Sequence, residues 1–139
     1  MLISEQEKYR GLRILRNGLK GPLFYDFLTE QQIKDLTNGC GPKGAGFLVP
    51  ERIFHASFRN PCKIHDVMYL LGYDKKFADQ VFYENCMEKT KETFYPIRPA
   101  AEWAAFMYYL AVKNGGNSSY KKAVDEGQCL GLHIRKEVL

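Results

Sequence analysis

The sequence predicts an all-α fold, and three observations predict it. Helix-start signals recur along the chain, at Ser4-x-x-Glu7, Thr29-x-x-Gln32, Asn60-Pro61 and Asp74. Glycine and proline pairs punctuate the stretches between them, and few strand signals appear anywhere. Hydrophobic residues make up 45% of 139 residues, enough for one packed domain with a single core.

The elements follow in order. Ser4-x-x-Glu7 opens a short helix as a capping box, and Thr29-x-x-Gln32 opens a second that ends near Asn38-Gly39. Gly39, Gly41, Pro42, Gly44, Gly46 and Pro50 then mark residues 38–50 as a loop with unusual backbone angles. Asn60 and Pro61 read as N-cap and first residue of a helix running to about Leu71. Gly72-Tyr73-Asp74 forms a turn, and Asp74 caps a helix from Lys75 to about Glu92. Pro96 and Pro99 break the chain, and Pro99 opens a third long helix ending at Gly115-Gly116. From Asn117 to Leu139 a short helix gives way to irregular structure. The whole reads as one domain, 1–139, with a core over about 35–115, N-terminal helices in 1–34 and a tail over 117–139.

Charge and composition narrow the function classes. The net charge of +4 suits an anionic surface and is also ordinary for a globular protein. No basic stripe with interleaved aromatics points to nucleic acid, so no such partner is expected. The longest apolar run, Trp103 to Val112, is ten residues, about half of a membrane span, so no transmembrane segment is expected. Met1-Leu2-Ile3-Ser4-Glu5 shows no basic region followed by an apolar one. Either the chain begins its life inside a cell or a leader has been removed. Cys40, Cys62, Cys86 and Cys129 allow three disulfide pairings, and two disulfides would fit a secreted or exported protein. No cysteine or histidine spacing suggests structural zinc.

The residues that carry chemistry flank Gly72. His65 stands seven residues before it and Asp79 seven after. In an antiparallel helix pair each limb rises about 1.5 Å per residue, so the two side chains arrive at the same height. A carboxylate against an imidazole fixes the tautomer and stabilises the imidazolium, leaving the other ring nitrogen free as a general base. Asp66 points about 100° round the helix from His65, toward the glycine-rich segment. Backbone carbonyls from that segment with one carboxylate make the hard-oxygen set that calcium takes. Tyr69 lies one turn after His65, and Tyr83 one turn after Asp79, each placed to hydrogen-bond and orient the carboxylate.

Cys62-Lys-Ile-His65-Asp66-Val-Met-Tyr69 resembles the phospholipase A2 signature C-x-x-H-D-x-x-Y. Ala78-Asp79-Gln-Val-Phe82-Tyr83 resembles the D-x-x-F-Y segment of the small secreted bacterial and fungal phospholipases A2. Asn38-Gly39-Cys40, followed later by Gly46-Phe47, resembles their calcium loop, and Trp103-x-x-x-x-Tyr108-Tyr109 their last helix. The resemblance covers roughly residues 35–115 in order. It implies a core of two antiparallel catalytic helices, a calcium loop and a third long helix. It also implies calcium-dependent hydrolysis of the sn-2 ester of a glycerophospholipid at a membrane or micelle surface. His65 would activate a water, Asp79 would orient it, and Asp66 would bind Ca2+ with Asn38 and the backbone oxygens near Gly39 and Gly41. Cys40 would pair with Cys62, leaving Cys86 and Cys129 as a second pair.

The chain departs from that pattern at Asn38, where the microbial loop usually carries Asp, and loss of a carboxylate is expected to weaken calcium binding. Interfacial contact is expected from Leu23, Phe24, Phe27 and Leu28, or from Phe47, Leu48 and Val49 with a rim of Lys43 and Arg52. Two other readings stand beside this one. One is a phospholipase-like fold used for binding or structure with little turnover. The other is an H-D metal phosphohydrolase recruiting His55, His65, Asp66 and Asp125, for which the ten residues from His55 to His65 are short.

Overall fold

The structure, a computed structural model, describes residues 12–37 and 51–130, with side chains in the second stretch from Phe58 onward. The expected helix at Ser4–Glu7, the glycine-rich segment and the end of the tail lie outside the described residues.

Helix dominates the described residues, but the first described element is a hairpin. Strand β1 (Leu12–Ile14) pairs antiparallel with β2 (Lys20–Pro22), Arg13 lying opposite Gly21. Residues 12–22, within the span expected to hold N-terminal helices, therefore form a hairpin. Its turn explains why. Gly18 sits at φ 83°, the left-handed region that costs glycine nothing, and Asn17 accepts the Leu19 N–H on its side chain at 3.0 Å. Leu15 N–H then closes onto the Leu19 carbonyl at 2.8 Å, and both leucines turn into the core. A short helix α1 (Leu23–Asp26) leads to α2 (Glu30–Leu36). The expected capping box is present there, with Gln32 N–H donating to Thr29 Oγ1 at 3.1 Å and Thr29 N–H donating to Gln32 Oε1 at 2.9 Å.

Helix α3 runs Glu51–Leu70, so Pro61 is not its first residue but lies inside a twenty-residue helix. An internal proline removes one backbone hydrogen bond and crowds the preceding turn, at about 3 kcal/mol. Burial offsets that cost: Phe58, Pro61, Cys62, Ile64 and His65 are all inside the protein. The helix stops at Gly72, φ 84°, where Tyr73 N–H reaches the Met68 carbonyl (3.1 Å) and Gly72 N–H that of Tyr69 (3.1 Å), a Schellman closure. Asp74 then caps α4 (Lys75–Thr90), its Oδ2 accepting the Phe77 N–H at 3.1 Å. A 3-10 turn (Tyr95–Ile97) precedes α5 (Arg98–Gly115), and α6 (Asn117–Cys129) follows at once.

Helix α4 lies between α3 and α5, and α6 packs against α3. The core has two parts. Hairpin and α2 residues Leu15, Leu19 and Ile33 meet Ile64, Met68 and Val81 in one. In the other, Phe58 and Phe82 meet the α5 face Ala101, Ala104, Ala105, Tyr108 and Val112. That face repeats at helical spacing, and its alanines let α5 approach closely. Buried Asn85 locks the hairpin to α4, taking the Lys20 N–H and donating to the Lys20 carbonyl, each at 2.8 Å. No helix among the described residues is long and apolar enough to cross a membrane.

Candidate active site

The antiparallel arrangement of α3 and α4 across Gly72 brings His65 and Asp79 together, as their equal spacing implies. His65 Nε2 lies 2.7 Å from Asp79 Oδ1, and both residues are buried, at 3% and 2% exposure. A carboxylate can only accept, so the Nε2 atom carries the proton and Nδ1 keeps its lone pair in the neutral ring. The imidazole is held between aromatic faces, with ring centroids 4.2 Å from Tyr69 and 4.8 Å from Phe82.

Asp79 accepts two further bonds. Tyr69 Oη donates to the same Oδ1 atom as His65. Lys75 Nζ donates to Oδ2 at 2.7 Å and also reaches the Val112 carbonyl at 2.9 Å and that of Lys113 at 3.3 Å. The ammonium thus ties the carboxylate to the C-terminal end of α5, where the helix dipole favours a cation. Burial alone would push Asp79 up. The bonds from His65, Lys75 and Tyr69 outweigh it and hold the carboxyl below its ordinary value, so it is ionised at neutral pH. Burial pushes His65 the other way from protonation: its pKa lies below 6.5, despite Asp79, and Lys75 adds to the lowering. Burial and the bond to Asp79 push Tyr69 far up, so it stays a donor.

Tyr83 does not join this group. Its ring lies against α5, 5.1 Å from Tyr109 and 6.3 Å from Phe106 between centroids. The i+4 step from Asp79 carries Tyr83 toward α5, while Tyr69 reaches the carboxylate from the facing helix. Lys75 and Tyr120 are the residues that sequence spacing had not nominated. Lys75 was legible as the i−4 neighbour of Asp79 on one helix. Tyr120 was not: it comes from α6, meets Tyr69 edge-to-face with ring centroids 4.8 Å apart and donates to the Tyr73 carbonyl at 2.7 Å.

Asp66 follows His65 on α3 and is half-buried, near enough to Tyr69 to raise its pKa. It is a hard oxygen donor, which fits calcium. The other expected ligands, Asn38, Gly39 and Gly41, lie outside the described residues. Among the described residues no three or more His, Cys, Asp or Glu side chains gather as a metal site. Asp125 is exposed on α6, on a different element from His65.

Cys62 takes part in a disulfide, and its expected partner Cys40 lies outside the described residues. The second expected pair does not form. Cys86 is enclosed between α3, α4 and α5, with its thiol pushed well up by burial, while Cys129 is exposed at the end of α6.

Of the expected interfacial residues, Leu23 and Phe27 are exposed, at 45% and 72%, while Phe24 and Leu28 pack partly against the core. Lys43, Phe47, Leu48 and Val49 lie outside the described residues, as does the side chain of Arg52. A further exposed apolar group, Phe94, Tyr95, Ile97, Trp103 and Phe106, marks the approach to α5 and its outer face. No protein-family model, curated protein or solved structure matches the chain.

Proposed function

We propose that the chain is a hydrolase of the phospholipase A2 type, acting with calcium on the sn-2 ester of glycerophospholipids. The observation that carries this reading is the buried His65–Asp79 contact of 2.7 Å; burial lowers the imidazole pKa, and a carboxylate on Nε2 favours the tautomer with Nδ1 free to accept a proton. The order of Cys62, His65, Asp66, Tyr69, Asp79 and Phe82 supports it, as do the exposed Leu23, Phe27 and Trp103 for contact with a lipid surface.

In this reading His65 Nδ1 takes a proton from water as the water oxygen bonds to the acyl carbon. Asp79 stabilises the imidazolium through Nε2, and Tyr69 and Lys75 hold the carboxylate still. The acyl carbon–oxygen bond then breaks, and His65 returns the proton to the glycerol oxygen, giving a lysophospholipid and a fatty acid. Asp66, with Asn38 and backbone oxygens near Gly39 and Gly41, would hold calcium, which would supply positive charge beside the phosphate.

A second reading gives the same buried group a structural role, with little turnover. The 3% exposure of His65 and the Lys75 bridge from Asp79 to α5 favour it. Fatty-acid release from phospholipid vesicles separates the two. In the first reading release requires calcium and falls about 10²–10⁴-fold in His65→Gln. Folded wild-type protein that releases nothing supports the second. Nucleotide hydrolysis with a transition metal would overturn both.

A further inference from the structure

A cleft of about 970 Å³ opens between α2 and α3, with the hairpin turn at one end. None of His65, Tyr69, Lys75 or Asp79 lines it, so it is separate from the buried pair. Its apolar wall is Tyr25, Leu28 and Ile33. Four cations from three elements reach it: Arg16 from the turn, Lys34 from α2, and Arg59 and Lys63 from α3.

Among the described residues none of the four makes an ion pair. Two carboxylates line the same cleft, Asp26 and Glu30, and each has a local role. Asp26 accepts the Arg16 backbone N–H, at 3.2 and 3.4 Å, and Glu30 stands in the first turn of α2, where the helix favours an acid. Arg59 and Lys63 stand four apart on α3, where like charges repel and weaken the helix. Folding gains nothing from that repulsion, whereas an anion between the two would relieve it. Guanidinium forks match phosphate oxygens in pairs, and the volume suits a small organic ligand.

We propose that this cleft binds a phosphate-bearing group attached to an apolar or organic body. The phosphate lies among Arg16, Arg59, Lys63 and Lys34, and the body lies against Tyr25 and Ile33. A soluble phosphate ester and a lipid headgroup both present this chemistry.

Titration of the full chain with glycerol 3-phosphate, followed by calorimetry, tests the soluble source. Co-sedimentation with phosphatidylcholine vesicles, with and without phosphatidylglycerol, tests the lipid source. Neither readout depends on turnover at His65, so failure here and failure of the hydrolase reading are separable. Saturable binding in either arm that weakens with salt is expected, with loss of roughly tenfold to a hundredfold in R59Q/K63Q and retention in R59K/K63R. The same loss is expected in R16Q/K34Q, which alters different elements and keeps the test valid should one variant misfold. Absence of binding in both arms, or unchanged binding in both folded neutral variants, would overturn the proposal.

Discussion

Asp79 accepts from three donors on two oxygens, and each donor can be removed separately. Asp79→Asn leaves the shape but replaces an acceptor-only group, freeing the His65 ring to change tautomer, so in the hydrolase reading fatty-acid release is expected to fall on the order of 10²–10⁴-fold. Lys75 is the more informative site. Its charge adds to the lowering of the His65 pKa, beneath the larger effect of burial. The His65 ring, followed by NMR, is therefore expected to titrate below 6.5 in wild type and closer to it in Lys75→Met. An unchanged midpoint in that variant would show that the ammonium acts on Asp79 and α5 alone. In the hydrolase reading the acid limb of kcat/KM lies below 6.5 and moves upward with the same variant.

At the scale of elements, α6 holds the site from behind. A Cβ at Gly127 would lie 1.7 Å from the Leu70 carbonyl oxygen, against backbone that cannot move aside cheaply. Gly127→Ala is expected to push α6 off α3 and to destabilise the protein by about 1–3 kcal/mol. Because Tyr120 on α6 packs against Tyr69 and bonds the Tyr73 carbonyl, faster amide exchange in α6 is expected together with a change at His65. Protection of α6 equal to that of wild type would contradict this coupling. The capping box on α2 is local by contrast: Thr29→Ala is expected to cost about 1 kcal/mol and leave His65 unaffected.

Across the whole molecule, buried His65 and Asp79 make stability depend on pH in one direction. The unfolded chain protonates His65 near 6.5 and the folded protein only below it, so stability falls as pH drops from 6.5 through the lowered native value. Asp79 has its native pKa below 3.8, so the stability from its bonds is complete above 3.8 and is lost as pH falls through that native value. Urea midpoints measured from neutral pH downward are expected to decline in two stages, the first absent in His65→Gln. The two core regions meet at α3 and α4, which carry residues of both. Phe82→Ala, which empties a fully buried site beside His65, is expected to cost about 3–5 kcal/mol.

Local chemistry determined the helical class, the capping box at Thr29, the Asp74 cap, the turn at Gly72 and the extent of α5, since each depends on neighbours within a turn or two. It also placed His65 opposite Asp79, because equal arms about one glycine set equal heights. The hairpin at 12–22 has a local signal in Asn17-Gly18, but its strands, three residues each and broken by Arg13 and Lys20, are too short to show an alternation in the sequence. Packing decided the rest. Pro61 sits within α3 because burial on both sides outweighs the hydrogen bond it lacks. Tyr83 faces α5 and Cys86 stays unpaired because the third helix closes over both. Lys75 grips the end of α5, and Tyr120 reaches Tyr69 from α6. These contacts join residues more than thirty positions apart, a distance across which periodicity and capping carry no information and only the folded chain does.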